Sequence, residues 1–291
     1  MYKEIAANKR KSFILVLLIF SFIIFFGWWL AHYFENEVIL FLAVIIALFH
    51  SLISYYYSDK IALALAGARP VSGREEPLFV HLVENLAITA GLPTPKTYVI
   101  EDSAINAFAC GRNPQTAAVA VTRGALNKLE KVELEGVLAH EISHVKNYDI
   151  LLATLVVVLV GIISILSDYF WRLSIFGRNR DEERGGVLAV LGIVLIIFAP
   201  LVATLIQLAV SRSREYLADA DGALLTRFPE GLARALEKIK RESRPLASAS
   251  TATAHLYFAN PFGRARGYFV SLFSTHPPID ERIKRLRKML A

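Results

Sequence analysis

Residues 137–145 read V-L-A-H-E-I-S-H-V and contain the pattern H-E-x-x-H at positions 140–144. The apolar neighbours predict a helix, and the four-residue spacing places His140 and His144 one turn apart on one helix face. Two imidazoles in that arrangement can bind one Zn²⁺ ion. Glu141 then lies beside the metal without binding it, which is the position of a general base for zinc-bound water.

A catalytic zinc ion needs a third protein ligand and one open coordination position. Ile150 stands where the extended motif would place a third histidine, so the ligand must come from a distant segment. Glu215 is the candidate, because it lies where the last long apolar segment gives way to mixed sequence. Asp219, one helical turn further on, can accept the free N–H of a ligand histidine. Taken alone, this Glu-x-x-x-Asp pair would indicate only a solvated helix face.

The chain contains one cysteine, Cys110. A single thiol excludes an intramolecular disulfide and a thiolate metal cage. Any metal must therefore be held by histidines and carboxylates. Two histidines and a glutamate suit Zn²⁺, and we expect one zinc ion per chain, although related divalent ions are compatible with the same donors.

Composition indicates a membrane protein, because 55% of the residues are hydrophobic. The excess lies in four apolar segments, each close to the ~20 residues needed to cross a bilayer core. They cover roughly 13–30, 38–57, 150–166 and 187–210. Trp28 and Trp29 stand where a signal peptide would need small residues, so the first segment is interpreted as a membrane span.

The distribution of charge predicts the orientation in the membrane. Four basic residues precede the first span and two acidic residues follow it: Lys3, Lys9, Arg10 and Lys11 against Glu35 and Glu37. The positive-inside rule then places the N-terminus, and the site after the second span, in the cytoplasm of a multi-pass protein of the plasma or bacterial inner membrane. The net charge of +6 indicates attraction to an anionic membrane surface, and no nucleic-acid-binding module is found.

The chain divides into four parts. Residues 1–57 are expected to form a two-span anchor, 58–149 the first part of a domain that contains the H-E-x-x-H residues, 150–210 two membrane-associated helices, and 211–291 the second part of that domain with the third candidate ligand. Whether the third and fourth segments cross the membrane or form a hairpin against the domain stays open, because the loop at 167–186 contains four arginines. Strands are expected at 97–100, 106–110 and 117–122, and helices at 78–90, from about 129, through 215–219 and from about 278. The fold class is mainly α and integral to the membrane, with two to four transmembrane helices and a helical domain containing a small β-sheet.

Several motifs resemble those of the HtpX heat-shock membrane proteases, which are relatives of the CAAX prenyl endopeptidases. They are N-A-F-A at 106–109, H-E-x-x-H at 140–144, R-E-Y-L-A-D-A at 214–220 and T-H-P-P-I-D-E-R-I at 275–283. The resemblance covers nearly the whole chain. It implies a helical zincin-type (gluzincin) fold and a zinc-dependent endopeptidase acting on membrane or misfolded polypeptides at the cytoplasmic side, in protein quality control and the stress response.

Two further roles are implied by the resemblance. His276 matches a late histidine of the family and is expected to help hold the oxyanion of the tetrahedral intermediate, with Glu141 as the other catalytic residue. Asn106 and Ala107 match the substrate cleft, where an edge strand can pair with an extended peptide. Without the resemblance, His276 would be interpreted as a surface residue and 106–107 as part of an ordinary strand.

Two alternative functions remain at this level. A prenyl-protein endopeptidase of the CAAX type would share the site, but four apolar segments favour the HtpX-like interpretation. A non-catalytic, zinc-stabilised membrane scaffold would normally close its metal site with a fourth protein ligand. No cysteine is available for that purpose, and Glu141 occupies the position of a base.

Overall fold

The computed structural model of the chain describes residues 2–161, 211–242, 244–250, 252–263 and 277–289. It begins with two long helices, α1 (Tyr2–Tyr33) and α2 (Val38–Leu65). Within the described ranges these two helices are long and apolar enough to cross a membrane. Their large apolar side chains include Phe13, Phe41 and Phe49, which are exposed as expected for groups that face lipid.

Small residues allow α1 and α2 to pack closely. A Cβ atom on Gly27 would lie only 2.0 Å from the Cβ of Ala43, so no larger residue fits at this crossing. Ala31 and Ala47 are buried along the same pair of helices. Close backbone approach at small residues is typical of helices that associate in lipid, where hydrophobic burial gives little driving force.

The domain that follows contains a four-stranded sheet with the order β1-β2-β4-β3. The strands are β1 (Ala68–Pro70), β2 (Lys96–Ile100), β3 (Ala107–Cys110) and β4 (Ala118–Thr122). The pairing is antiparallel for β1 with β2, parallel for β2 with β4, and antiparallel for β3 with β4. Strand β3 is therefore an edge strand of the sheet.

Three helices pack around this sheet before the chain turns: α3 (Pro77–Ala90), α4 (Arg123–Lys128) and α5 (Lys131–Lys146). Helix α3 begins at Pro77 and ends at Ala90, where Gly91 with a left-handed φ of 69° closes the helix as the sequence predicts. Helix α5 begins with a capping box between Glu130 and Glu133 and contains the H-E-x-x-H residues. A short 3-10 helix, Pro114–Thr116, precedes β4.

After α5 the chain bends by 87° into helix α6 (Asp149–Gly161). Tyr148 at the bend has a φ of 59°, a left-handed conformation that non-glycine residues seldom adopt. Residues 150–160 of α6 are almost all buried. The remainder of the third apolar segment, the arginine-containing loop and the fourth segment lie outside the described residues.

The second part of the domain consists of α7 (Arg212–Thr226), α8 (Pro229–Glu242), a 3-10 helix (Ala254–Leu256) and α9 (Ile279–Lys288). Helices α7, α8 and α9 share one apolar core with α3, α5 and the sheet. Gly222 of α7 lies against the backbone of α5, where a Cβ would come within 3.0 Å of the His140 nitrogen. This close approach brings the α7 side chains within reach of the α5 histidines. Within the described residues the predicted strands and helices are confirmed, and α5 begins two residues later than about 129.

Candidate metal centre

The two histidines of α5 point toward one common centre. The rings of His140 and His144 lie 4.7 Å apart between centroids, at an angle of 84°. Their Nε2 atoms are separated by 3.1 Å. The helical repeat alone explains this arrangement, because residues four apart lie above one another on the same face.

Glu215 completes a triad of possible metal ligands. Its carboxylate oxygens lie 3.7 Å from His140 Nε2 and 3.4 Å from His144 Nε2. One ligand atom from each of the three residues falls within 4.8 Å of the others. Glu215 is buried in the first turn of α7, which the packing of α7 on α5 holds in place.

The chemistry of these donors suits a cation. The Nδ1 atom of each histidine lies 2.9 Å from an aspartate oxygen, which leaves each neutral imidazole with an unprotonated Nε2. Two such nitrogens and a carboxylate facing one another need a positive charge between them. In the metal-free protein a proton can supply it. Although burial lowers the pKa of His144, its hydrogen bonds to the carboxylates of Asp149 and Glu215 outweigh that effect and raise it.

His140 is held by a shell of residues from α7 and α9. Its Nδ1 donates to Asp219, whose carboxylate also accepts two hydrogen bonds from Arg282, at 2.7 and 2.9 Å. Arg282 is 1% exposed and stacks on Phe258, 4.5 Å from the ring centroid. Burial raises the pKa of Asp219, but Arg282 and His140 together lower it to about 2. Asp219 therefore stays ionised, and it fixes the tautomer and orientation of His140.

His144 is held by a second shell, which we did not predict from the sequence. Its Nδ1 lies 2.9 Å from Asp149 Oδ2. The other oxygen of Asp149 accepts from Arg214 Nη1 at 3.0 Å and from Asn8 Nδ2 at 2.6 Å. The left-handed backbone at Tyr148 turns the chain so that Asp149 returns toward a histidine five residues earlier.

Glu141 is buried beside the triad, with 2% of its surface exposed. Its carboxylate accepts a hydrogen bond from the backbone N–H of Ala109 on β3. Burial is the largest influence and raises the pKa of Glu141 to about 7. A carboxylate with a pKa near neutrality can both accept and return a proton, as a general acid and base must.

The outer edge of β3 lies next to this site and contacts another segment of the chain. The Phe258 N–H donates to the carbonyl of Ala107 at 2.8 Å. The Asn106 side chain donates to the Ala259 carbonyl and accepts from the Ala259 N–H, at 2.9 and 3.1 Å. Asn106 and Ala107 thus lie near the site but bind residues of their own chain here. Their role in substrate binding stays a prediction, and so does that of His276, which lies outside the described residues.

Sequence reasoning missed Asp149, Arg214, Arg282 and Asn8. Asp149 and Arg214 flank the apolar segments at 150–166 and 187–210, and an ionisable residue at the border of such a segment is a usable signal. Arg282 lies within a quoted motif, T-H-P-P-I-D-E-R-I, and the motif itself draws attention to it. Asn8 gives no comparable signal, because it lies among ordinary polar residues before the first span.

A histidine pair on a buried helix, an opposing glutamate, a small sheet and two apolar helices together define a membrane metalloprotease of the zincin type. Residues 74–290 match the family described as Peptidase family M48. The chain belongs to this family. The resemblance, the fold class and the prediction of a membrane metalloprotease made from the sequence are thereby confirmed.

Individual relatives agree with this assignment. The chain is 45% identical over 289 residues to a protein named Protease HtpX homolog from Dictyoglomus thermophilum, covering 99% of this chain and 94% of that protein. A protein of the same name from Tropheryma whipplei is 45% identical over 291 residues, covering 99% of this chain and 98% of that protein. The crystal structure of S. mikatae Ste24p has a TM-score of 0.51 at 19% identity, covering 98% of this chain and 67% of that chain, and shows a shared fold.

Proposed function

We propose that this membrane metalloprotease is a zinc endopeptidase in which His140, His144 and Glu215 bind the metal and Glu141 is the general base. The observation that carries the proposal is the convergence of three acceptor atoms within 4.8 Å, with Glu141 buried beside them. Both histidines are oriented by aspartates, as metal-binding histidines usually are. A bound zinc ion would polarise the scissile carbonyl and make a water molecule more acidic.

The residues of the chain supply the remaining steps. Glu141 accepts the proton of the attacking water on a carboxylate oxygen and later gives it to the leaving amine. The Ala109 N–H holds the same carboxylate in place. His276, carried over from the family resemblance, is proposed to donate a hydrogen bond to the developing oxyanion. Asn106 and Ala107 are proposed to bind the substrate backbone, which requires the segment around Phe258 and Ala259 to leave the edge of β3.

We further propose that the site lies on the cytoplasmic side and acts on membrane or misfolded proteins. Asn8, near the start of α1, contacts the catalytic domain, so this domain and the N-terminus share one side of the membrane. The basic residues before the first span favour the cytoplasm. Cysteines introduced at Glu37 and at Arg241, both exposed, should react with an impermeant thiol reagent from opposite sides of the membrane, with Arg241 on the cytoplasmic side. Labelling of both cysteines from the same side would contradict this orientation.

The mechanism is tested by comparing Glu141→Gln with the wild type. We expect kcat on an unfolded membrane-protein substrate to fall by about 10²–10⁴-fold, because a general base is lost, with zinc content unchanged. Glu135→Gln is the matched control, since Glu135 lies on the same helix away from the triad and should leave both quantities unchanged. Wild-type kcat in Glu141→Gln would refute its role as the base.

The same assay separates the alternatives. A prenylated peptide should be a poorer substrate than the unfolded membrane protein, and the reverse result would favour the CAAX-type endopeptidase. A wild-type protein that binds zinc and cleaves neither substrate would favour a scaffold.

A further inference from the structure

Asn8 is a buried polar residue on the membrane-anchoring helix α1. Only 1% of its surface is exposed. Its Nδ2 donates to Asp149 Oδ1 at 2.6 Å and to the Asn147 carbonyl at 3.0 Å. Its Oδ1 accepts from Arg214 Nη1 at 3.0 Å. The carboxamide therefore bonds to α7, to the end of α5 and to the first residue of α6, and these bonds define which atom is the nitrogen.

The packing of α1 on α6 explains why Asn8 reaches the catalytic domain. Helix α1 has 32 residues and is about 48 Å long, which exceeds the ~30 Å bilayer core by several turns. The buried residues Asn8, Ser12 and Leu15 lie on one face near its start. Leu15 packs with Leu151 and Leu155 of α6 in a separate apolar cluster. Asn8 is therefore positioned by this contact between the anchor and the domain.

The bonds of Asn8 converge on the residue that orients His144. Asn8 and Arg214 both donate to Oδ1 of Asp149, while Oδ2 of Asp149 faces His144 Nδ1. The two donors hold the carboxylate against rotation about its terminal bond. Removing the Asn8 amide would also leave the buried Asn147 carbonyl without this donor, and buried polar groups are costly to leave unsatisfied.

We propose that Asn8 is a positioning residue of the metal centre, acting from the anchor helix through Asp149 on His144. The proposal rests on His144 being a metal ligand, as proposed above. It predicts that the anchor does more than hold the domain at the membrane, because the contact of α1 with the domain tunes metal affinity. Partners of ligand histidines typically change metal affinity by 10–100-fold when they are replaced.

A merely structural role for Asn8 makes a different prediction. If its hydrogen bonds only attach α1 to the domain, Asn8→Ala should lower the unfolding temperature of both the metal-free and the zinc-bound protein, with the zinc dissociation constant unchanged. A positioning role should raise the zinc dissociation constant and lower kcat of the zinc-saturated enzyme, with KM nearly unchanged. Zinc affinity of the full-length protein in detergent, measured by competition with a chelator, separates the two.

We expect Asn8→Ala to weaken zinc binding by a few-fold to about tenfold, less than the loss of Asp149 itself, because Arg214 still donates to that carboxylate. Asn8→Asp, which keeps the shape but replaces the donor by a second acceptor facing Asp149, should weaken it at least as much. Ser12→Ala is the matched control, because Ser12 is buried one turn further along α1 and its hydroxyl hydrogen-bonds to none of the described residues. If Asn8→Ala does not accumulate in the membrane, Asn8→Ser, which keeps a hydroxyl donor, allows the same measurement.

A double-mutant cycle tests whether Asn8 acts through Asp149. The zinc-affinity losses of Asn8→Ala and Asp149→Asn should not multiply, since both remove the same support. Asn8 and Asp219 support different histidines, so the factors by which Asn8→Ala and Asp219→Asn weaken zinc binding should multiply in the double variant, to within about twofold. Wild-type zinc affinity in Asn8→Ala, or multiplying losses with Asp149→Asn, would overturn the proposal. His140→Ala is the reference: if it retains wild-type zinc affinity, the ligand assignment itself has failed, whatever Asn8 does.

Discussion

The two histidines proposed as metal ligands lie on one helix and are supported in different ways. His140 is oriented by Asp219, and Asp219 accepts hydrogen bonds from Nε and Nη2 of a single buried arginine, Arg282. His144 is oriented by Asp149, and Asp149 is shared between Arg214 and Asn8. The residues that hold His140 all belong to the catalytic domain. Those that hold His144 include Asn8, a residue of the membrane anchor.

This difference indicates that the two shells contribute differently to the stability of the domain and to its connection with the membrane anchor. Arg282 is the cationic partner of Asp219 within the described part of the chain, so the His140 shell depends on one residue. The His144 shell has two donors on the same carboxylate oxygen, and the loss of one leaves the other. We therefore expect the His140 shell to govern the folding of the domain and the His144 shell to connect the site with the anchor.

The largest expected effect comes from breaking the His140 shell at its arginine. Arg282→Met should lower the free energy of unfolding by about 3–5 kcal/mol, because it leaves Asp219 ionised and buried. Arg214→Met should cost less, about 1.5–3 kcal/mol, because Asn8 still donates to Asp149. Denaturant unfolding of both variants in one detergent measures the difference. A larger loss in Arg214→Met would contradict the division of roles.

A smaller effect is expected from neutralising the two aspartates. Asp219→Asn and Asp149→Asn should each weaken zinc binding by about 10–100-fold, because an amide holds the histidine N–H less well than a carboxylate. Asp219→Asn should be the more severe, since Arg282 Nη2 lies 3.4 Å from His140 Nδ1 and would then lack its carboxylate. Competition with a chelator gives the zinc dissociation constants of both variants. Equal losses of zinc affinity would contradict the expectation that the His140 shell depends more strongly on its aspartate.

The smallest effect is expected at a residue that lies beside the His140 and His144 shells but belongs to neither. Asp221 accepts a hydrogen bond from Asn147 Nδ2 at 3.1 Å, linking α7 to the end of α5 without touching either histidine. Asp221→Ala should reduce stability by about 1 kcal/mol, the value of one partly exposed hydrogen bond. Its zinc dissociation constant should equal that of the wild type. A tenfold change in that constant would mean that Asp221 also supports His144.

Much of the fold follows from local patterns in the sequence. The apolar periodicity of α3 and its end at Gly91 are local, and so are the two long apolar helices and the alternation of the short strands. The order β1-β2-β4-β3 is not, because the parallel pairing of β2 with β4 joins strands separated by another strand. Strand pairing depends on tertiary contacts that no local pattern contains.

The sequence by itself determined the part of the site that one helix can build. A four-residue spacing fixes how His140 and His144 face a common centre, and a zinc ion proposed there requires a third ligand from a distant segment, for which Glu215 was the candidate. Only the tertiary structure decided what holds those ligands. Arg282 and Asp219 are 63 residues apart and Arg214 and Asn8 are 206 apart, so their contacts arise from the packing of α7, α9 and α1. The spacing of side chains along a helix depends on residues that are close in the sequence, whereas a buried ion pair forms only when the packing of the core brings distant elements into contact.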